Sequence, residues 1–298
     1  MTKRAWLLFI LICVIWGVPY LFIKVAVDGG LAPSFIAWSR IVLAAAVLLP
    51  IGWRKLGGLR ARTAAVFGYT ACEVAVPFVL IALGERYITS SLTAILVSTM
   101  PLMVALLSLR LLPGDRLTGK RVLGLVLGFG GVVALLGVDV SGRRNELLGA
   151  ALVLMATLCY AIAPIIVNRW LADLDPLGPV TASLLIASAA LLPGGIATFP
   201  QRLPPPTALW AIAVLGVICT ALGLVIFFRL IAEAGASRAS VVTYVNPLVA
   251  VVVGVLALGE HIGAVSALGL VLILIGSWIS TSSSASGHEV ASLNSTTA

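Results

Sequence analysis

The sequence predicts an all-α membrane protein of ten transmembrane helices, arranged as two inverted five-helix repeats. Three observations predict it. First, 61% of the 298 residues are hydrophobic and only 10% are charged, with a mean hydropathy of +1.16; soluble domains are about half apolar and about a quarter charged. Second, the apolar segments show no period-two alternation and approach the roughly 20 residues that cross a bilayer as a helix. Third, one stretch occurs twice. SSLTAILVSTMPLMVALLSLRLLPGDRLTGKRVLGLVLGFGG ends at Gly131, and SRASVVTYVNPLVAVVVGVLALGEHIGAVSALGLVLILIG ends at Gly276. Pro101 falls on Pro247 at an offset of 146, Asp115 on Glu260 at 145, and Leu123 to Leu127 (LGLVL) matches Leu268 to Leu272 residue for residue. Such duplication means two halves of similar build. In an apolar chain it fits the paired repeats that surround a central site in membrane carriers.

Taken in order, the spans fall at roughly 6–26, 33–53, 63–83, 88–111, 119–138, 147–169, 177–199, 207–230, 238–258 and 262–280. Lys3-Arg4 and the run to Ala26 resemble a signal peptide, but no small-residue cleavage pattern follows, so the run is read as the first membrane helix. Asp28-Gly29-Gly30, Gly57-Gly58, Pro113-Gly114, Asp173 to Pro176 and Pro204 to Pro206 supply the turns. The repeat boundary divides the chain into 1–142 and 143–280, and the Ser/Thr-rich residues 281–298 are expected to be a disordered cytoplasmic tail. Five spans per half give the halves opposite orientations. Leu48-Leu49-Pro50 recurs as Leu191-Leu192-Pro193, and Ile15 to Val18 stands against Cys159 to Ile162. With the N-terminus inside, thirteen Lys and Arg fall on inner segments and five on outer ones. That bias predicts both termini in the cytoplasm and a cell (inner) membrane location. The net charge of +8 is therefore read as loop charge, and no nucleic-acid partner is expected.

Neither cofactor nor metal is expected. Cys13, Cys72, Cys159 and Cys219 stand alone in apolar spans, and the two histidines, His261 and His288, lie in a loop and in the tail. The chain contains no GxxxxGK[ST], HExxH or GxSxG, so direct ATP drive is unsupported and an intramembrane enzyme is the weakest reading. A receptor or scaffold without transport is the other alternative.

Trp16-Gly17, Arg40, Ala82-Leu83, Pro101, Asp115, Gly124, Pro247, Leu258-Gly259-Glu260 and Gly269 occur in an order that resembles the EamA-like permeases of the drug/metabolite transporter superfamily. The resemblance implies a ten-helix carrier of small metabolites, often outward, with amino acids among them. The first copy departs from the family pattern, with Pro113-Gly114-Asp115 in place of Leu-Gly-Glu; the loop is read as peripheral, so the departure touches no site.

Candidate site residues follow from what the bilayer disfavours. A charge in its interior is costly. Arg40, about eight residues into the second span, and Glu73, near the middle of the third, stand out. Both are candidates to face a cavity, Arg40 for a substrate carboxylate and Glu73 for a coupling proton or cation; a structural Arg40–Glu73 pair is the alternative. Lys24 is read as snorkelling to the headgroups. Pro19, Pro101, Pro164 and Pro247 break or kink their helices, and a broken helix bares carbonyls that are tolerable beside a cavity. Ser98, Thr99, Met100, Tyr244 and Asn246, beside these prolines, are therefore candidate substrate contacts, as are Trp16, Tyr20 and Tyr160. Trp6, Trp53, Trp170, Trp210 and Trp278 lie near span ends and are assigned to the interfacial belt. Gly124, Gly128, Gly130 and Gly131, with Gly263, Ala267, Gly269 and Gly276, mark spans 5 and 10 as close-packing supports. The expected partners are a lipid bilayer and a small, partly apolar solute.

Overall fold

The computed structural model describes residues 1–111, 118–139 and 144–295. The Pro113-Gly114-Asp115 loop lies outside them. Among the described residues every regular element is helical. The first half contains α1 (Lys3–Gly17), α2 (Pro19–Asp28), α3 (Pro33–Gly52), α4 (Thr63–Tyr69), α5 (Val76–Gly84), α6 (Ser90–Val97), α7 (Met100–Leu111) and α8 (Gly119–Asp139). The second contains α9 (Arg144–Ile166), α10 (Leu177–Ala197), α11 (Pro206–Ala213), α12 (Gly223–Ala234), α13 (Ala236–Ala239), α14 (Val242–Leu258) and α15 (Ala264–Ser295). A 3₁₀ stretch, Trp53–Arg62, joins α3 to α4, and π-helical stretches occupy Thr70–Ala75, Val167–Leu171 and Val214–Leu222.

Local chemistry explains the boundaries. The Thr2 and Thr89 hydroxyls cap α1 and α6, accepting from Ala5 N and Leu92 N. Proline opens α2, α3 and α11, where its missing N–H costs nothing. Gly259 closes α14 with φ +66°, a backbone conformation that glycine alone adopts freely. α15 runs on to Ser295, through residues that composition alone leaves unstructured.

Seven helical segments among the described residues are long and apolar enough to cross a membrane. They are Lys3–Asp28, Pro33–Gly84, Ser90–Arg110, Arg144–Leu171, Leu177–Ala197, Pro206–Ala234 and Ala264–Thr281. The sequence predicts ten. The difference arises because Pro33–Gly84 is one helical run of 52 residues, Val242–Leu258 is a shorter apolar helix, and α8 borders residues outside the described set. Large apolar side chains such as Leu7, Ile10, Phe67, Val126, Val133 and Leu256 stay exposed, as do Trp6, Trp53, Trp170, Trp210 and Trp278.

Helix contacts respect the repeat. α1 packs on α12 and α14, and α9 packs on α5, α6 and α7, their counterparts. α3 packs on α10, and α8 on α15, each against its own counterpart. The α8–α15 contact is backbone on backbone. A Cβ added at Gly276 meets Gly124 O and Gly128 N at 2.5 Å, and one added at Gly131 meets Gly269 O at 2.9 Å. Gly130 faces open space. Removing side chains lets the helices reach van der Waals contact, which drives association where water supplies no hydrophobic force.

At one end of the bundle, charged residues join the halves. Arg62 donates two parallel hydrogen bonds to Asp173, Nη1 to Oδ1 at 2.5 Å and Nη2 to Oδ2 at 2.7 Å, and also donates to Trp170 O. Lys55 Nζ lies 2.9 Å from Asp175 Oδ2. The hydrogen bonds from Arg62 and Lys55 hold the two carboxyls below the usual carboxylate range.

Overpacking a tight contact costs about 1–3 kcal/mol, and more where backbone opposes backbone. Gly276→Val is therefore expected to lower the thermal unfolding midpoint in detergent and the yield of monodisperse protein, while Gly130→Ala leaves both unchanged. Equal behaviour of the two variants would remove the glycine contact as the basis of α8–α15 packing.

Candidate functional site

The site is built on irregular helix. Pro77 has no N–H for the carbonyl of Glu73, and the turn before it widens into the π stretch Thr70–Ala75. The second half carries its own π stretch, Val214–Leu222, at the corresponding place. Thr220 Oγ1 donates to Leu215 O, five residues back, at 2.8 Å. Such stretches leave backbone groups free to meet side chains from other helices.

Arg40 of α3 uses this opening. Its Nε donates to Thr220 Oγ1 at 2.8 Å, and its guanidinium lies 3.9 Å from the centre of the Phe78 ring. The residue is only 8% exposed. Nη1 and Nη2 have no hydrogen-bond partner among the described residues, yet neither is sealed from free space. Tyr160, Cys219, Tyr20 and Glu85 are within electrostatic range. The guanidinium is thus fixed by one bond and one ring, with two amino groups left to offer.

Trp16 of α1 leans on the same stretch. Its Nε1 donates to Cys219 O at 3.1 Å, its ring centre is 4.7 Å from that of Phe227, and Gly223 makes room for it. Tyr20 and Tyr160 are partly buried, and their hydroxyls are neither bonded nor sealed among the described residues. Glu73 is also partly buried, inside the first π stretch, with no ion pair among the described residues; Tyr160 and Tyr69 are its electrostatic neighbours. The alternative of an Arg40–Glu73 pair is not what forms. Arg40 reaches the third span through Phe78 instead.

The proline-adjacent residues behave differently. The helix does break before Pro101, between α6 and α7, and before Pro19, between α1 and α2. Pro164 and Pro247 lie inside continuous helices, where packing holds the turn despite the lost bond. Ser98 and Thr99 are buried, and their hydroxyls donate to Ile95 O and Leu96 O at 2.6 and 2.7 Å. They satisfy the break itself. Met100 opens α7 and is partly exposed. The Tyr244 hydroxyl meets Thr281 Oγ1 at 2.7 Å. Asn246, its amide oriented by its neighbours, donates to Val242 O at 3.1 Å and Cys13 O at 3.3 Å. The structure therefore brings Trp16, Tyr20, Arg40 and Tyr160 together around the second π stretch, sets Asn246 against α1 at Cys13 and Gly17, and leaves Tyr244 at a separate contact with Thr281.

Two residues depart from the sequence reading, and a third finds partners that it did not foresee. Lys24 Nζ is 3.1 Å from Glu85 O and 3.2 Å from Asp28 Oδ1, one turn nearer the helix end. Glu85, placed by hydropathy in a loop, is fully buried. Glu260 is no loop ornament. Its carboxylate accepts from Ser90 N at 2.8 Å, Ser90 Oγ at 2.9 Å, Ser91 N at 2.9 Å and Ser91 Oγ. This places a negative charge at the start of α6, where free N–H groups and the helix dipole favour it. Gly259 supplies the turn that aims it, and Gly254 the room it occupies. Thr220, Cys219 and Phe78 carried no sequence signal. Beside the Glu260 contact a cavity of about 340 Å³ is lined by Lys24, Arg86, Tyr87, Ser91, Glu146 and His261, among others.

These features define an integral membrane protein of two helical repeats with a polar interior point. The chain belongs to the EamA-like transporter family, whose profile matches residues 3–137 and 147–282. It is 28% identical over 286 residues to an uncharacterized transporter of Archaeoglobus fulgidus, covering 93% of this chain and 98% of the relative. It is 24% identical over 291 residues to a probable amino-acid metabolite efflux pump of Escherichia coli, covering 94% and 95%. A solved crystal structure aligns with a TM-score of 0.67 at 18% identity, over 95% of this chain and 98% of that one; at this identity the likeness concerns the fold.

Hydrogen bonds to a charged group contribute about 1.5–3 kcal/mol each. Glu260→Ala is expected to lower the unfolding midpoint in detergent by several degrees, and Glu260→Gln, which keeps one acceptor, to fall between it and the parent. An unchanged midpoint in Glu260→Ala would make the contact dispensable.

Proposed function

We propose that the protein is a secondary carrier that exports small, partly apolar metabolites, amino acids first among them, by alternating access between its two repeats. The observation that carries this reading is Arg40: a buried guanidinium, held by Thr220 and Phe78, with two amino groups free and Tyr20, Tyr160 and Trp16 around it. A fixed cation with open donors recognises a carboxylate, and aromatic walls accept an apolar side chain. The efflux-pump relative points the same way. Glu73 is kept as a candidate for a coupling cation or proton. Met100, Tyr244 and Asn246 remain outer candidates; Ser98 and Thr99 are reassigned to the helix break.

The reading includes ten crossings. Pro33–Gly84 supplies two of them, and α8 and α14 one each beyond the other six apolar segments. It also includes an inverted arrangement of repeats 1–142 and 143–280, both termini in the cytoplasm, and a place in the cell (inner) membrane. Two facts support it. Helix contacts map onto themselves when the halves are exchanged. Links assigned to one side also meet there: the 53–62 stretch touches the 171–176 link, and 85–91 touches Glu260.

The test is metabolite release from bacteria expressing the protein, with the medium read by mass spectrometry. One charged hydrogen bond corresponds to about 10–100-fold in binding. Arg40→Ala, at matched membrane levels, is therefore expected to cut release of the exported amino acids by at least about tenfold, and Arg40→Lys by less. Equal release by Arg40→Ala and the parent would sink the role of Arg40 and leave the carrier. Release no greater than that of empty cells, together with no uptake, would favour a receptor or scaffold.

A further inference from the structure

We propose that Glu85 is a proton-binding site whose carboxyl is protonated while it is buried as it is here, and exchanges with solution through the neighbouring cavity. Glu85 lies in the link between the segments ending at Gly84 and beginning at Ser90. It is 0% exposed, and neither carboxylate oxygen has a hydrogen-bond partner among the described residues. Its charged and titratable neighbours come from every side: Lys24 and Asp28, Arg40, Glu260, and Tyr20. None donates to its carboxylate. Lys24 is spent on Asp28 and on the main-chain oxygen of Glu85 itself. The Nε of Arg40 is spent on Thr220. Glu260 already accepts from four donors at the start of α6, and a second negative charge nearby is unfavourable. A buried ionised carboxylate with no donor is among the most expensive groups a protein can hold, and taking up a proton removes the charge. Burial accordingly pushes the carboxyl well above the usual carboxylate range, against the pull of Lys24.

The proton has a short way out. The next two residues, Arg86 and Tyr87, line the cavity of about 340 Å³, together with Lys24 and His261. Tyr87 N and Arg86 N close the turn on Gly84 O and Leu83 O, so a small rearrangement of this turn wets the carboxyl. Opening would let the ionised form find water; closing would require the proton back. On the carrier reading of the preceding section, this links net proton movement to the closure step. The proton site itself does not rest on that reading.

Two measurements test it, the first independent of any substrate. Infrared spectra of the purified full-length protein at neutral pH are expected to show the carbonyl stretch of a protonated carboxylic acid, shifted in D₂O. Glu85→Gln should remove a component of that band, and Glu73→Gln should leave that component in place. A carboxylic-acid band undiminished in Glu85→Gln, or one that fails to shift in D₂O, overturns the proposal. Unfolding midpoints of both variants in detergent establish that they fold, and Glu85→Met, which also lacks a carboxyl, replaces Glu85→Gln if that variant does not. The second measurement uses proteoliposomes loaded with a mixture of the standard amino acids, with and without an imposed pH gradient. Efflux by the parent is expected to change at least about tenfold with the gradient, and by Glu85→Gln not at all. Parent efflux indifferent to the gradient overturns the coupling role. No efflux by the parent counts against amino-acid transport instead, and Glu85 is then judged by the infrared band alone.

Discussion

A lipid interior offers no water to a bare N–H or C=O, so every irregularity in a membrane helix must be closed by protein. That constraint accounts for several of the buried polar side chains among the described residues. The break before Pro101 is closed by Ser98 and Thr99. The second π stretch is closed by Thr220 from within and by Trp16 from α1. The free N–H groups at the start of α6 are met by Glu260. Arg121 covers Ala105 O and Ser108, and Trp38 covers Ser188 O. These bonds also hold the repeats together, because the donor and the irregularity frequently come from opposite halves. Trp16 and Cys219, Arg40 and Thr220, Glu260 and Ser90, and Trp38 and Ser188 all pair across the repeat boundary.

What the constraint leaves over is as informative as what it uses. Once the irregular backbone is closed, the polar groups without a hydrogen-bond partner among the described residues include the amino groups of Arg40, the hydroxyls of Tyr20 and Tyr160, the carboxyl of Glu73 and that of Glu85. The first four still touch free space, so a ligand or water can complete them. Glu85 is sealed, and only a change in its own protonation can relieve it. Groups of the first kind suit recognition, and a group of the second kind suits coupling, since its cost depends on whether the surrounding turn is open or shut.

Much of the fold was legible because membrane physics writes it in composition. The helical class, the two repeats and the close-packing role of the glycine-rich spans 5 and 10 follow from hydropathy and from small residues at helical spacing; that the two spans pack on each other does not. Arg40 was legible because a cation in an apolar run is rare. The rest was not, for physical reasons. Hydropathy ends the third span at Leu83, so Glu85 reads as solvated although helix packing folds over it. Lys24 reads as snorkelling, and its bond to the Glu85 carbonyl depends on a tertiary contact that the sequence does not show. Pro101 and Pro247 look alike in sequence, yet one follows a break and the other sits in unbroken helix, because the hydroxyls of Ser98 and Thr99 have no equivalent before Pro247. The π stretches carry no composition of their own, and with them Thr220 and Cys219 stayed hidden. Glu260 shows in the sequence only as the acid of the Leu258-Gly259-Glu260 pattern, and its partners Ser90 and Ser91, distant along the chain, do not.

The two ends of the bundle are held by different kinds of contact, and that difference bears on how such a fold can move. At one end, Arg62–Asp173 and Lys55–Asp175 are substantially exposed, and pairs of that kind contribute little and are screened by salt. Because their carboxyls sit below the usual range, that contribution is fully present at neutral pH and is lost as pH falls through the lowered folded values. At the other end, Glu260 is bound by four donors at a helix start, in a partly buried setting where separation leaves both the carboxylate and the N–H groups unpaired. The first contact can be exchanged for water at small cost. The second can be given up only if something compensates the exposed charge. Glu85 lies beside this second contact, and its protonation alters the local charge by one unit where Glu260, Asp28 and Lys24 already meet. A rearrangement that wets the 85–89 link thus changes the cost of the Glu260 contact and of the Glu85 proton together, which is the physical form that coupling between a proton and a helix movement has to take.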